Sequence, residues 1–160
     1  MTFNNEYDNL KWDEYYSLGN EKIDTQHRGL FDAVNKLIAS CESGLDTAEL
    51  NETLLFIVNY TVQHFDDEEA LQIECNYPDY ERHKGLHDEF KAVVINLVHR
   101  FSMTGSSDEL CKDVKKIMIK WIVKHIMNED KKIGNYLKGK NQPPAVKNVK
   151  GEAGRRDGAV

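Results

Sequence analysis

From Glu21 onward the hydrophobic positions recur at steps of three and four residues. Ile23, His27, Leu30, Phe31, Val34, Leu37 and Ile38 fall on one face, the spacing of a helix buried along one side. "SGLD" follows, with Gly44 as a stop and Asp46 as the N-cap of the next helix. A second stripe, from about Thr47 to Glu74, consists of Leu50, Leu54, Ile57, Thr61, His64, Glu68 and Leu71. "CNYPDY" breaks it, and Pro78 suits the first turn of a third helix. That helix carries His83, Leu86, His87, Phe90, Val94, Leu97 and Phe101. "TGSSDE" supplies a loop with Ser106 or Ser107 as N-cap. The fourth helix holds Leu110, Val114, Ile117, Trp121 and His125 and ends near Gly134. No stretch alternates with period two for long enough to be a strand. The pattern predicts an all-α, antiparallel up-down-up-down four-helix bundle.

The ends differ from this body. Residues 1–20 read as an extended N-terminal arm with aromatic anchors at Phe3, Tyr7, Trp12, Tyr15 and Tyr16. From Gly139 the chain is rich in glycine and charge, with Pro143 and Pro144 and almost no large apolar residue. The expected organisation is therefore one domain, 1–138, and a disordered basic tail, 139–160.

Charge sharpens this division. From Lys138 onward six Lys or Arg face two Asp or Glu, a tail of +4, so the preceding 137 residues carry −10 of a net −6. An acidic body argues against nucleic acid as a partner. No apolar run approaches the roughly 20 residues of a membrane span. The first residues lack the basic and apolar segments of a signal peptide, so a cytoplasmic protein is expected. Cys41, Cys75 and Cys111 are widely spaced and odd in number, which reads as three reduced thiols.

The chemistry lies in the histidines. His83 and His87 are four apart, about 40° on a helix, on the face of Phe90 and Val94. His64 and Glu68 share the inward stripe of the second helix; His27 and His125 lie on the stripes of the first and fourth. All four helices thus aim imidazole at one interior. Burying five imidazoles and a carboxylate is costly unless something pairs them, and a metal ion satisfies both nitrogen lone pairs and carboxylate charge. His99, about 120° round from His87, is expected at the surface. Around the second helix, Asp66 and Glu69 lie about 160° and 140° from His64 and Asp67 about 60°; all three are expected to be solvated. Zinc motifs such as HExxH or paired cysteines are absent. Asp24 and Gln26 flank His27, either hydrogen-bonding a ligand imidazole or serving as cap and surface residues.

"IDTQH" (23–27), "HFDDEE" (64–69), "YPDYERHKGLH" (77–87) and "WIVKHIMNED" (121–130) together resemble the hemerythrin family, its bacterial single-domain type, across four helices and about 120 residues. The resemblance implies two non-haem irons with a bridging oxide or hydroxide. It implies His83, His87 and His125 on one iron, His27 and His64 on the other, and Glu68 and Asp130 as bridging carboxylates. Asp130 rests on the resemblance alone, because five residues from His125 is about 140° on an α-helix. Five histidines, two bridging carboxylates and a bridging hydroxide fill all but one of the about twelve positions of two six-coordinate irons. The open position falls on the two-histidine iron.

The implied function is reversible O2 binding for storage, delivery or scavenging by a monomer or small homo-oligomer, a binding protein rather than an enzyme. An oxygen or redox sensor acting through a partner is the alternative, with weak peroxide or nitric-oxide handling behind it. Trp121, Ile122, Phe65 and Leu30 are the candidate walls of the O2 pocket.

Overall fold

The computed structural model describes residues 10–43, 47–105 and 107–140. Four helices follow a short 3₁₀ turn at Glu14–Tyr16: α1 (Glu21–Glu42), α2 (Thr47–Glu74), α3 (Tyr80–Thr104) and α4 (Asp108–His125). A π-helical turn, Ile126–Asp130, then leads into α5 (Lys131–Lys140). Among the described residues there is no strand. The helices form the antiparallel bundle expected. α1 packs on α2 and α4, and α2 on α3, while α3 and α4 meet more sparsely.

Local chemistry sets the ends. Asn20 caps α1 by accepting from the Ile23 N–H at 3.2 Å, and Ser107, the second of the two expected candidates, caps α4 through Leu110 N–H at 3.1 Å. Pro78 lies outside α3 rather than in its first turn; Asp79 is the N-cap residue, and its carboxylate pairs with Arg82 at 2.6 Å instead of capping. Gly44, Asp46 and Ser106 lie outside the described residues, as do Phe3 and Tyr7 of the arm. The last helix continues past Gly134 through Lys140, and residues 141–160 of the expected tail lie outside the described residues. No described helix is long and apolar enough to cross a membrane.

The core follows the stripes. Leu30, Phe31, Val34, Leu37, Leu50, Leu54, Ile57, Phe65, Phe90, Val94, Leu97, Phe101, Leu110 and Val114 are buried in one cluster, each contributing about 1.5–3 kcal/mol of apolar burial. The α2 stripe ends on Gln72, fully buried, whereas Leu71 is only half-buried. On α4, Met118 is buried and Ile117 is partly exposed. A second cluster of Leu18, Ile23, Tyr77 and Ile133 closes the end where the arm enters. There Gly134 is required: a Cβ would stand 2.8 Å from the Leu18 carbonyl oxygen. The arm is pinned by Asp24, whose buried carboxylate accepts from Ser17 Oγ, Leu18 N and Gly19 N at 2.7, 2.7 and 3.2 Å. Asp24 therefore anchors the arm and touches no ligand imidazole.

The cysteines depart from expectation. Cys41 and Cys111 form a disulfide with Cα atoms 5.8 Å apart, and Cys75 alone is free. The bundle topology explains it. The last turn of α1 and the first turn of α4 lie side by side at one end, and a sequence separation of 70 between the two cysteines hides this in the sequence.

Candidate metal centre

His27, His64, Glu68, His83, His87 and Asp130 are each at most 1 % exposed, and His125 is 5 % exposed. Their donor atoms form two overlapping groups. Glu68, His83, His87, His125 and Asp130 form one; His27, His64, Glu68 and Asp130 form the other, and each group's ligand atoms lie within 4.8 Å of one another. Helix geometry accounts for six of the seven. α1 contributes His27, α2 the i, i+4 pair His64 and Glu68, α3 the i, i+4 pair His83 and His87, and α4 His125 in its last turn. His99 is exposed, as expected.

Asp130 arrives by a different device. In the π turn the Lys131 N–H donates to the Ile126 carbonyl, a five-residue step that brings residues five apart toward one face. His125 and Asp130, which an α-helix would separate, meet at 3.0 Å. Arg82 holds the turn from outside by bridging Asp79 and Glu129, and Lys132 also pairs with Glu129.

The two carboxylates divide their oxygens between the groups. Glu68 Oε1 lies 2.8 Å from His83 Nε2 and 3.6 Å from His87 Nε2, while Oε2 faces His64 Nε2 at 3.9 Å. Asp130 Oδ1 lies 3.0 Å from His125 and 3.4 Å from His83, while Oδ2 lies 3.2 Å from His27. Despite this closeness, His27 Nδ1 and Nε2, Glu68 Oε2 and both Asp130 oxygens have no aligned hydrogen-bond partner. His87 Nε2 lies within hydrogen-bond distance of His83 Nε2 and His125 Nε2, at 3.1 and 3.0 Å, but the unpartnered nitrogens and oxygens converge on one interior, an arrangement that suits cations.

Protonation fits the same picture. Burial, reinforced by His27, lowers His64 to about 3, and burial with His125 and His83 lowers His87 further, so both rings offer lone pairs. Burial opposes a charge on His83, but the carboxylates of Asp130 and Glu68 outweigh it and raise this histidine to about 9. Burial likewise opposes ionised Asp130, yet His125, His27 and His83 hold its carboxyl well below the usual range. The carboxylates attract positive charge to the middle of the cluster.

A surrounding layer orients the rings. His87 Nδ1 donates to Glu69 Oε1 at 3.0 Å, which aims its Nε2 inward. His64 Nδ1 donates to Gln26 Oε1 at 3.2 Å; Gln26 Nε2 in turn donates to Asp67 at 2.6 Å, and Lys22 holds Asp67 at 2.7 Å. Glu69 and Asp67 are thus engaged rather than solvated, while Asp66 is exposed as expected. Gln72, one further i, i+4 step along α2, donates to Glu68 Oε1 at 2.9 Å. The expected contact by Gln26 exists, directed at His64. Tyr77 stands edge-on to His83, and Trp12 of the arm lies 6.2 Å from the His27 ring.

The expected pocket residues sit close by. Phe65, Ile122 and Leu30 are buried, and Trp121 is half-buried. Phe65 stacks on His87 with ring centroids 3.8 Å apart, and Trp121 stacks on His125 at 4.2 Å. Both therefore pack against the three-histidine group.

Residues 18–137 match the family model described as the hemerythrin HHE cation-binding domain. The chain is 27 % identical over 129 residues to a bacteriohemerythrin of Stenotrophomonas maltophilia, covering 81 % of this chain and 82 % of that one. It is 32 % identical over 114 residues to the bacteriohemerythrin of Methylococcus capsulatus, covering 71 % and 85 %. A hemerythrin of Sipunculus nudus is 33 % identical over 132 residues, covering 81 % and 95 %. A crystal structure of wild-type hemerythrin superposes with a TM-score of 0.72 at 28 % identity, covering 80 % of this chain and 97 % of that one.

Proposed function

The chain belongs to the hemerythrin family, and from that premise we propose that its buried cluster holds two non-haem irons and binds O2 reversibly. The observation that carries this reading is the division of Glu68 and Asp130 between a three-histidine and a two-histidine group. His83, His87 and His125 would hold one iron, His27 and His64 the other, with the two carboxylates and an oxide or hydroxide between them. Two ferrous ions would supply the electrons that hold O2 and recover them on its release.

The protein's own contribution is orientation and exclusion. Glu69 and Gln26 fix the tautomers of His87 and His64, so that each presents Nε2 inward. Gln72 occupies one lone pair of Glu68 Oε1 and limits the rotation of that carboxylate. Phe65, Ile122, Leu30 and Trp121 keep water from the cluster, which denies bound O2 the protons that would promote irreversible reduction. With two histidines against three, an iron held by His27 and His64 would have fewer ligands from the protein than its neighbour and would be the one left to take O2.

The proposed role is that of a binding protein, not an enzyme, built on a bundle that extends to Lys140. A cytoplasmic setting sits against the Cys41–Cys111 bridge, because disulfides are rare in reducing compartments; thiol counting on protein alkylated at lysis decides between them. The function is tested by exposing the reduced, iron-loaded protein to air and then to argon. A visible charge-transfer band that appears and then disappears supports reversible binding, and one-way oxidation within mixing time overturns it.

A further inference from the structure

Two ferric irons hold no O2, so a di-iron carrier that oxidises must be re-reduced, and the structure offers an entry point for electrons. Where α3 and α4 meet sparsely, a cleft of about 620 Å³ opens to solvent, within the size range of small-molecule sites. Its walls include Leu86, Val93 and Ile117. Val93 is 41 % exposed.

Trp121 lines the cleft together with Phe90 and His125. One face of the indole is covered by Phe90, centroids 3.6 Å apart and 12° from parallel; the other is covered by His125 at 4.2 Å and 13°. The edge is what remains for an occupant. The stacked π-systems of the cleft wall thus run from the indole to the His125 ring, whose Nε2 faces the cluster. The rim carries Lys120 and Lys124, both exposed. Among the described residues neither has an ion pair, in a chain of net charge −6. The rim carboxylate, Glu129, is already engaged by Arg82 and Lys132.

We propose that this cleft is an electron-entry site that takes reduced flavin mononucleotide, its planar ring system between the apolar walls and its phosphate on Lys120 and Lys124, with Trp121 and His125 as the path inward. The binding half stands on the cleft alone, and the destination of the electrons rests on the di-iron reading above. In the overall step the hydroquinone anion loses two electrons and one proton to become oxidised flavin. The electrons take two ferric ions to ferrous, and the proton leaves to solvent. O2 itself, being neutral, has no use for the lysines.

The test uses the iron-loaded protein. Oxidised flavin mononucleotide is titrated by its fluorescence, and ferric protein is then mixed anaerobically with the reduced flavin. Saturable quenching is expected. The double variant Lys120→Glu/Lys124→Glu should weaken binding about tenfold or more and slow flavin-driven reduction alike. Val93→Trp, which fills the cleft, should abolish quenching, while reduction by dithionite alone stays the same in the lysine double variant and in Val93→Trp. Trp121→Leu should slow reduction by flavin more than it weakens binding. No saturable quenching by the wild type, or charge-reversed protein that binds and reduces like wild type, overturns the proposal. Failure of the di-iron reading shows separately, as quenching by a protein that retains no iron.

Discussion

Glu69→Gln isolates what the layer around the proposed metal ligands does. The Glu69 side chain is 12 % exposed and accepts from His87 Nδ1 at 3.0 Å, with Lys91 3.9 Å away. Glutamine keeps the shape and can still accept this hydrogen bond, but as a neutral group. A hydrogen bond to an ionised acceptor contributes about 1.5–3 kcal/mol against about 0.5–1.5 for a neutral pair, so the change costs about 1 kcal/mol. That energy is delivered through the orientation and basicity of His87, and removal of such a partner lowers metal affinity about 10–100-fold. The conservative variant should therefore lose iron to a coloured ferrous chelator about fivefold to tenfold faster, and Glu69→Ala faster still. Asp66→Asn, the same charge change on an exposed residue of α2, should release iron like wild type. Circular-dichroism melts of the metal-free proteins separate this effect from loss of fold. Wild-type release rates in both Glu69 variants would refute the assignment of Glu69 to His87, and equal acceleration in Asp66→Asn would reduce the effect to net charge.

His83→Ala removes a donor that approaches the carboxylates of both Glu68 and Asp130 and should lower iron per chain, whereas His99→Ala, at the surface, should not; equal iron in the two variants contradicts this sorting of the histidines. The metal-free protein should be most stable near pH 6.5, the ordinary histidine value. Folded His64 is lowered to about 3, so stability falls as acid protonates the unfolded ring below 6.5; folded His83 is raised to about 9, so its contribution is full below 6.5 and lost as pH rises through 9. Melting temperatures of chelated protein that stay level from about pH 5 to about pH 9.5 would contradict the two shifts. Cys41→Ser opens a 70-residue loop and should cost about 4 kcal/mol in denaturant unfolding. Thiol titration of the native wild type should find one reactive group, Cys75, and three thiols in untreated protein would sink the bridge.

Much of the fold was legible because a bundle helix repeats its buried face along its own length. The stripe His64, Glu68 and the pair His83, His87 needed only the period of one helix, and so did the exposure of His99. What escaped involved either a break in the period or a neighbour the period cannot see. Asp130 lies off the stripe until the π turn re-aims it, and only the His-x4-Asp spacing of "HIMNED" hinted at that. Glu69 points away from His64 on its own helix, yet toward His87 on the next. Cys41 and Cys111 are likewise brought together by helix packing across 70 residues. Gln72 was within reach, since the i, i+4 step from His64 to Glu68 continues to it. Leu71, more apolar, drew the stripe one residue short.

The central claim is that seven buried side chains hold two irons, and metal stoichiometry tests it most directly. Elemental analysis of protein purified without added metal, paired with a quantified chain concentration, should give two irons per chain, one for each donor group. A value of one iron, or a full complement of zinc in place of iron, would contradict the two-iron assignment.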